Sequence, residues 1–450
     1  MDFPYVFLME RRDKMKAFIL AGTHSGVGKT TLSLGLMRSF LNKGEIVRPF
    51  KVGPDYIDTG YHSLAAKKKS INIDSFLLNE NNINELFNEN MKECTLGIIE
   101  GVMGLYDGKG IEKSFASTAH MANLLNLPVI LVVDGKGVAL SIAAMVHGFK
   151  TFKDAPYIKG VIINNVNSKV HYNLLKEAIE LHTGVECFGY VPKMDNIELK
   201  SRHLGLYTVF EDNKFEDKIE NFSNELDNTI DVNRIKESLD EINILKFNKL
   251  KTNIIIKKRV AYAFDAAFHF YYEDNFKQLK DRGIELIPFS PLKDKKLPKD
   301  IDGIYIGGGY PEIYKEELSK NKSIRDEILR YLENDLPCYA ECGGMMYLTR
   351  GFKDNNKFYP WVGFLDGESY MTNKLQSFGY IEVETPFGNS FKAHNFHYSN
   401  CDNDNKGVYT LIKRNKKWRE GFLKKKTLAG YPHVYFRGAE EFLEFLIKHL

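Results

Sequence analysis

The chain has 450 residues, 43% hydrophobic and 27% charged, and at roughly 150 residues per domain this predicts about two to three soluble globular domains. Its 62 Lys and Arg nearly balance 59 Asp and Glu, and the net charge of +3 gives no basic field for nucleic acid. Five scattered cysteines indicate a reducing compartment, and no apolar run approaches the roughly 20 residues of a membrane helix. We therefore expect a cytoplasmic protein with neither nucleic-acid nor membrane partners.

The first part of the chain alternates apolar strands with helical segments. Residues 1–14 mix acidic and basic side chains and are expected to form a short N-terminal extension. From Ala17, the strand AFILAG, the loop THSGVGKT and a helix ending near Gly44 follow one another. Further buried strands are predicted at 96–100, 128–133 and 160–164. This alternation predicts a domain over 15–211 with a doubly wound parallel sheet.

A change in composition separates two α/β series. Residues 212–257 are rich in charge and Asn, which predicts a linker with a peripheral helix. A second series follows within 258–450, with strands expected at 259–264, 283–288, 303–306 and 336–340. The predicted fold class is thus α/β, with two domains that each contain a largely parallel sheet flanked by helices.

The loop GTHSGVGKT, residues 22–30, stands between a strand and a helix, where backbone N–H groups and the helix dipole bind phosphate. Five residues separate Gly22 from Gly28, so the loop is a variant of the usual spacing. Lys29 would reach the β and γ phosphates, and Thr30 would bind magnesium. An ordinary glycine turn is the alternative. The predicted ATP-binding residues are Thr23, His24, Ser25, Gly26, Val27, Gly28, Lys29, Thr30 and Thr31.

Carboxylates that follow two other strands are candidates for the metal site. Asp55 and Asp58 follow a strand ending near Val52, whereas Glu100 ends the next strand and Asp107 lies in the loop beyond it. Because the carboxyl ends of parallel strands share one sheet edge, we expect Asp55 and Glu100 to hold Mg²⁺ together with Thr30. A turn or helix-cap role is equally compatible with any one of these acids.

The segment LPCYAECGGMMYL predicts a second active site. Cys342 follows a short apolar strand and precedes Gly343 and a helix, as in a nucleophile elbow that exposes the side chain. A cysteine thiolate nucleophile is thus implied, and a buried structural thiol, as expected for Cys338, is the alternative.

A cysteine nucleophile needs a base, and the late histidines His394, His397, His433 and His449 are the candidates. We favour His433 in LAGYPHVYF. Tyr435 stands where related triads frequently carry an orienting carboxylate, so the third member is absent or comes from elsewhere. Backbone N–H groups of Gly308, in IGGGYPE, and of Gly343 would form the oxyanion hole.

Taken together, the two halves resemble the cobyrinate a,c-diamide synthase family, which joins a dethiobiotin-synthetase-like P-loop domain to a class I glutamine amidotransferase domain. The resemblance covers nearly the whole chain and rests on the ordered motifs GTHSGVGKTT, FKVGPDYIDTGYH, EGVMGLYDG, SRHLGL, AFDAAFHFYYEDN, FSPL, GGGYPE, YAECGGMMYL and AHNFHYSN. It implies that Cys342, activated by His433, hydrolyses glutamine through a thioester. Ammonia then aminates acyl phosphates that ATP forms on the a and c carboxylates of a corrin ring.

The same resemblance implies the ligands and part of the cleft. The expected substrates are a tetrapyrrole polycarboxylate, glutamine and ATP, with Mg²⁺ as cofactor, and the oligomeric state, a homodimer included, stays open. The residues expected to line the substrate cleft are Tyr56, Asp58, Asp107, Ser201 and His203. A loop-capping role for His203 is equally compatible with the sequence.

Two departures from the family pattern leave the tetrapyrrole open. AHNFHYS has Asn395 where the family usually carries an acid, and YPHVYF replaces the usual YLHLHF. Relatives that amidate nickel sirohydrochlorin supply the alternative substrate. The sequence also allows a cobyric acid synthase-like enzyme, a plain cysteine hydrolase, or a P-loop regulatory ATPase with an inactive amidotransferase domain. The intact Cys342 elbow, GGGYPE and His433 disfavour the regulatory ATPase.

Overall fold

The structure, a computed structural model, describes residues 15–111, 114–193, 201–202, 205–206, 214–242, 257–402 and 407–450. These residues form two compact units. Unit 1 takes the described residues of Met1–Ser75 and Asn79–Asn248, and unit 2 those of Phe76–Leu78 and Lys249–Leu450. Within the described ranges, every helix is too short or too polar to cross a membrane.

Unit 1 is built on a seven-stranded sheet in the order β3-β2-β4-β1-β5-β6-β7, and all of its neighbouring strands run parallel. Its strands are β1 (Lys16–Gly22), β2 (Val47–Val52), β3 (Ile71–Ile73), β4 (Leu96–Glu100), β5 (Val129–Asp134), β6 (Ile158–Val166) and β7 (Glu186–Pro192). Most residues of these strands are buried and apolar, as expected of a parallel sheet covered on both faces.

Helices connect the strands of unit 1, as parallel pairing requires. They are α1 (Lys29–Asn42), α2 (Ile57–Ala65), α3 (Glu80–Met91), α4 (Thr118–Leu125), α5 (Ser141–Thr151) and α6 (Lys169–Thr183). Two short paired strands, β8 (Ser201–Arg202) and β9 (Gly205–Leu206), follow β7.

The described part of the predicted linker, residues 214–242, forms two further helices, α7 (Phe215–Asp227) and α8 (Val232–Ser238). Phe215, Phe222 and Leu226 of α7 belong to the same buried cluster as α1. Gly35 of α1 permits this close approach, because a Cβ there would lie 2.3 Å from Leu226 Cδ1. These apolar residues of α7 recur at helical spacing and form one buried face, whereas many of the residues between them are charged. We propose that the first domain, predicted over 15–211, extends through this segment.

Unit 2 contains a six-stranded sheet in the order β11-β10-β12-β13-β23-β22, which is parallel except for the pair β22–β23. Its strands are β10 (Lys258–Ala263), β11 (Ile284–Phe289), β12 (Gly303–Ile306), β13 (Cys338–Glu341), β22 (Phe422–Lys424) and β23 (Thr427–Gly430). Its helices are α9 (Glu273–Asp281), α10 (Lys315–Lys320), α11 (Lys322–Glu333), α12 (Gly343–Leu348) and α13 (Glu440–Lys448), and a 3₁₀ turn covers Phe436–Gly438.

Two smaller sheets complete unit 2. One has the order β15-β14-β16-β19, from β14 (Gly351–Asp354), β15 (Lys357–Pro360), β16 (Ser369–Met371) and β19 (Ser399–Cys401). The other is antiparallel, in the order β21-β20-β17-β18-β24, from β17 (Ser377–Glu384), β18 (Ser390–His397), β20 (Tyr409–Lys413), β21 (Lys416–Glu420) and β24 (His433–Val434). The pairing of β18 with β24 sets His394 opposite His433.

The predicted α/β class, with two largely parallel sheets flanked by helices, is confirmed. The strands expected near 17–22, 96–100, 128–133 and 303–306 are β1, β4, β5 and β12. The antiparallel sheet of unit 2 was not anticipated. In its strand β17, buried and exposed positions alternate only over residues 381–384, which is a short pattern for a sequence-based strand prediction.

Candidate active sites

The P-loop of unit 1 joins β1 to α1 at the carboxyl end of the sheet. Gly26 and Gly28 have positive φ angles of 84° and 98°, a conformation that favours glycine. A Cβ on Gly28 would lie 2.3 Å from Asn164 Nδ2, and that amide donates a hydrogen bond of 2.8 Å to Val27 O. The glycines are therefore needed for the loop's path, as expected of a phosphate cradle.

Lys29 is buried at the start of α1, and its Nζ donates a hydrogen bond of 3.2 Å to His24 O. Burial and nearby Lys51 lower the pKa of Lys29, while Glu100, Asp58 and Asp107 oppose that shift. Lys29 thus lies close enough to Glu100, Asp58 and Asp107 for their charges to stabilise its protonated form. The side chain of His24 lies beside Thr23, whose Oγ1 is 2.9 Å from His24 Nδ1.

Glu100 is the centre of a buried polar cluster at the end of β4. Its Oε1 accepts hydrogen bonds from Thr30 Oγ1 at 2.6 Å and from Lys51 Nζ at 2.7 Å. Its Oε2 is 2.6 Å from His62 Nε2. Although burial opposes ionisation, Lys51 and His62 lower the pKa of Glu100 well below its usual range. Glu100 therefore stays a carboxylate at neutral pH.

Lys51 links Glu100 to a second predicted acid. Its Nζ also donates to Asp58 Oδ2 at 2.5 Å, and the whole side chain is buried. Burial opposes its charge, but Asp58 and Glu100 outweigh that effect and raise the pKa of Lys51 above its usual value. Burial and the neighbouring Asp55 raise the pKa of Asp58 to about 6. Neither Lys51 nor His62 was predicted from the sequence, although both lie within the FKVGPDYIDTGYH motif.

The other predicted cleft residues have more local contacts. Asp55 Oδ1 accepts hydrogen bonds from the N–H groups of Ile57 and Asp58 at 2.8 and 2.9 Å, at the start of α2, where Tyr56 is the N-cap residue. Asp107 Oδ2 accepts one from Gly104 N at 2.9 Å. The side chain of Ser201 and the whole of His203 lie outside the described residues. Cleft roles for all of these residues stay predictions.

The donor set at Thr30 and Glu100 fits magnesium. Mg²⁺ in nucleotide sites is bound by one or two hydroxyl or carboxylate oxygens, with phosphates and waters completing its coordination. Among the described residues, no three His, Cys, Asp or Glu side chains are grouped as a metal site of their own. A hydroxyl and a carboxylate that already meet at 2.6 Å match such a partial set, whereas the predicted role of Asp55 as a ligand is untested.

In unit 2, Cys342 forms a sharp turn between β13 and α12. Its φ of 48° and ψ of −109° are strained for a residue with a side chain. Its N–H donates to Gly430 O at 2.7 Å. A Cβ on Gly344 would lie 2.2 Å from Ile306 O, so glycine is required where the turn crosses β12. This geometry is that of a nucleophile elbow.

His433 lies beside the elbow and is buried. Its ring makes a side-chain hydrogen bond with Cys342, and its Nδ1 is 3.7 Å from Glu341 Oε2. Burial opposes protonation, but Cys342 and Glu341 together raise the pKa of His433 to about 10. The structure therefore brings together the predicted nucleophile and base, and it adds Glu341, which was not predicted from the sequence.

The GGGYPE loop packs against the same elbow. A Cβ on Gly308 would lie 2.4 Å from His433 Cε1, and one on Gly343 would lie 3.1 Å from Gly309 O. Gly308 and Gly343 therefore flank the pair of Cys342 and His433, while their role as oxyanion-hole donors stays a prediction. Of the remaining candidate bases, His394 faces His433 across the strand pair, and His449 Nδ1 lies 2.7 Å from Phe445 O within its own helix segment.

Comparison with known proteins assigns both parts of the chain to known domain families. Residues 18–206 match the CobQ/CobB/MinD/ParA nucleotide binding domain, and residues 259–441 match the CobB/CobQ-like glutamine amidotransferase domain. A protein of Caldanaerobacter subterraneus subsp. tengcongensis named cobyrinate a,c-diamide synthase is 43% identical over 95% of this chain and 98% of its own. This chain belongs to the cobyrinate a,c-diamide synthase family. The family resemblance and the ligase class predicted from the sequence are thereby confirmed.

Two further relatives carry the same name. The protein of Streptococcus sanguinis is 41% identical over 95% of this chain and 98% of its own, and that of Clostridium acetobutylicum is 42% identical over 96% and 100%. Among solved structures, PurLQS from Thermotoga maritima matches 43% of this chain and 99% of its own at 17% identity, with a TM-score of 0.33. The two named relatives thus match nearly the whole chain.

Proposed function

We propose that the protein converts the a and c carboxylates of cobyrinate to amides, using glutamine as nitrogen donor and ATP as the source of activation. The observation that carries the proposal is that one chain holds both reactive centres intact. These are the pair of Cys342 and His433 in unit 2 and the P-loop with Lys29, Thr30 and Glu100 in unit 1. The relatives named cobyrinate a,c-diamide synthase support the choice of substrate.

In unit 2, the Cys342 thiolate attacks the side-chain amide carbon of glutamine. His433, protonated beside the thiolate, gives its proton to the leaving nitrogen, and ammonia departs from a γ-glutamyl thioester. Water then hydrolyses the thioester, which releases glutamate and restores the thiol. N–H groups of Gly308 and Gly343 would stabilise the oxyanion in both steps.

In unit 1, the substrate carboxylate attacks the γ-phosphorus of ATP, which leaves ADP and an acyl phosphate. Ammonia then attacks the acyl carbon, phosphate leaves and the amide forms. Lys29 lies in the P-loop where it would neutralise charge on the transferred phosphoryl group. Thr30 and Glu100 would hold Mg²⁺, which supplies further neutralisation of phosphate charge when bound.

Lys51 keeps Glu100 and Asp58 ionised and in place around this centre. Its ion pairs at 2.7 and 2.5 Å fix one carboxylate at the end of β4 and the other in the first turn of α2. We infer that Asp58, together with Tyr56, Asp107, Ser201 and His203, lines the part of the cleft that receives the tetrapyrrole. A homodimer and a cytoplasmic location stay predictions.

Product mass spectrometry tests the proposal. The purified protein is incubated with ATP, Mg²⁺ and glutamine, and cobyrinate and nickel sirohydrochlorin are offered in separate reactions. We expect two amidations on cobyrinate and none without ATP. Two amidations on the nickel compound alone would assign the other substrate. ATP hydrolysis without any amidation or glutaminase activity would favour a regulatory ATPase.

A further inference from the structure

The histidine of the glutaminase site lacks a carboxylate at the position two residues later. Tyr435 is there, and its buried ring packs on Tyr272 at a centroid distance of 4.6 Å. An imidazole that exchanges a proton with a thiol needs a fixed orientation, which an acceptor on its other nitrogen commonly provides. That acceptor must therefore come from another part of unit 2.

Glu341, the residue directly before the nucleophile, is the carboxylate that lies beside His433 Nδ1. It is 1% exposed at the end of β13, and its Oε2 is 3.7 Å from His433 Nδ1. Its Oε1 accepts hydrogen bonds from the Val434 N–H at 3.2 Å and from Tyr339 Oη at 2.9 Å. The Val434 contact ties the carboxylate directly to β24, the strand that carries His433.

Two phenol groups also donate hydrogen bonds to this carboxylate. Tyr305 Oη donates to Glu341 Oε2 at 3.3 Å, in addition to the bond from Tyr339. Burial and Glu341 raise the pKa of both tyrosines well above the usual value, so both stay protonated donors. A buried carboxylate with these donors is stabilised in one orientation, which leaves Oε2 directed at the histidine.

We propose that Glu341 is the positioning carboxylate of the glutaminase site, taking the place that Tyr435 does not fill. It orients His433 with Nδ1 toward itself and Nε2 toward Cys342, and it stabilises the imidazolium beside the thiolate. This inference rests on the proposed glutamine hydrolysis. The carboxylate and the nucleophile are neighbours in sequence. The turn at Cys342 therefore positions both groups that would contact the His433 ring.

The charged groups around His433 determine the pH at which its ring loses a proton, so the proposal predicts a pH dependence. The titratable groups that face the ring are Cys342, Glu341, His394 and His397. Burial lowers the pKa of His394 to about 3 and that of His397 to about 4, so both are neutral at working pH. Cys342 and Glu341 are therefore the groups that raise the pKa of His433 against the effect of burial. Without the Glu341 charge, the imidazolium is lost at lower pH.

The test compares the glutaminase kinetics of wild type, Glu341→Gln, Glu341→Asp and Glu327→Gln across pH 6 to 10.5. Glu327 is a half-buried control carboxylate in unit 2, and it accepts a hydrogen bond from Leu297 N. We expect Glu341→Gln to lower kcat by about 100-fold with KM changed less than about threefold. The alkaline limb of its kcat against pH should move to lower pH. Glu341→Asp should recover part of the kcat and part of the pH shift. Glu327→Gln should match wild type in both.

A kcat and an alkaline limb unchanged in Glu341→Gln would overturn the inference. A wild type that does not hydrolyse glutamine would instead contradict the proposed function, so the two failures are distinct. NMR titration of nitrogen-15 labelled histidines in the wild type tests the inference without a variant. We expect the His433 imidazolium to persist above pH 8, and a pKa at or below the ordinary 6.5 would contradict the proposal.

Discussion

Thr30 Oγ1 donates a hydrogen bond of 2.6 Å to Glu100 Oε1, which joins the P-loop helix to the end of β4. The contact follows from the sheet, because β1 and β4 are parallel neighbours with Leu20 in register with Glu100. The chain thus places a hydroxyl and a carboxylate at the same edge, 70 residues apart in sequence. Thr30 follows the P-loop lysine, and we propose this pair as the site of a nucleotide-bound metal.

Lys51→Met should abolish amidation and leave glutamine hydrolysis active. The change leaves the buried carboxylates of Glu100 and Asp58 without their shared cation, which should lower the free energy of unfolding by about 3 kcal/mol. Amidation should be lost with glutamine and with ammonium, while glutaminase activity persists at temperatures below unfolding. Denaturant titration and both assays measure this. The exposed Lys153→Met is the matched control, and equal stability of the two variants would contradict the role of Lys51.

Gly28→Ala tests the P-loop by a steric clash. Gly28 and Gly44 both have positive φ, at 98° and 88°, but only at Gly28 would a Cβ meet another atom within 4 Å. Both alanine variants should lose about 1 kcal/mol of stability through backbone strain. Only Gly28→Ala should also weaken ATP binding, measured by calorimetry in the presence of Mg²⁺. Equal ATP affinity in the two variants would show that the loop does not cradle the nucleotide.

Much of the ATP site and the nucleophile elbow could be predicted from the sequence, because each is a local strand, loop and helix pattern. The contacts of Lys51 and His62 with Glu100 could not, since they depend on the adjacency of β2 and β4 in the folded sheet. Glu341 was missed because related triads frequently carry their carboxylate after the histidine in the sequence. In the structure, the carboxylate reaches the ring from the strand that precedes the nucleophile.

Cys342→Ala separates nitrogen supply from carboxylate activation. The variant should lose glutamine-dependent amidation and keep amidation from ammonium at the wild-type rate, since the P-loop site is untouched. Cys338→Ala is the control, because that thiol is buried four residues earlier and burial raises its pKa far above the usual value. We expect Cys338→Ala to keep glutaminase activity. Loss of the ammonium reaction in Cys342→Ala would contradict separate roles for the two centres.

An isotope label on the amide nitrogen of glutamine tests the proposed amidation directly. Wild type is given cobyrinate, ATP, Mg²⁺ and glutamine labelled with nitrogen-15 in the side-chain amide, and the product is analysed by mass spectrometry. We expect a diamide that carries the label in both new amides, with no product when ATP is omitted. Unchanged cobyrinate beside hydrolysed glutamine and ATP, or a diamide without label, would contradict it.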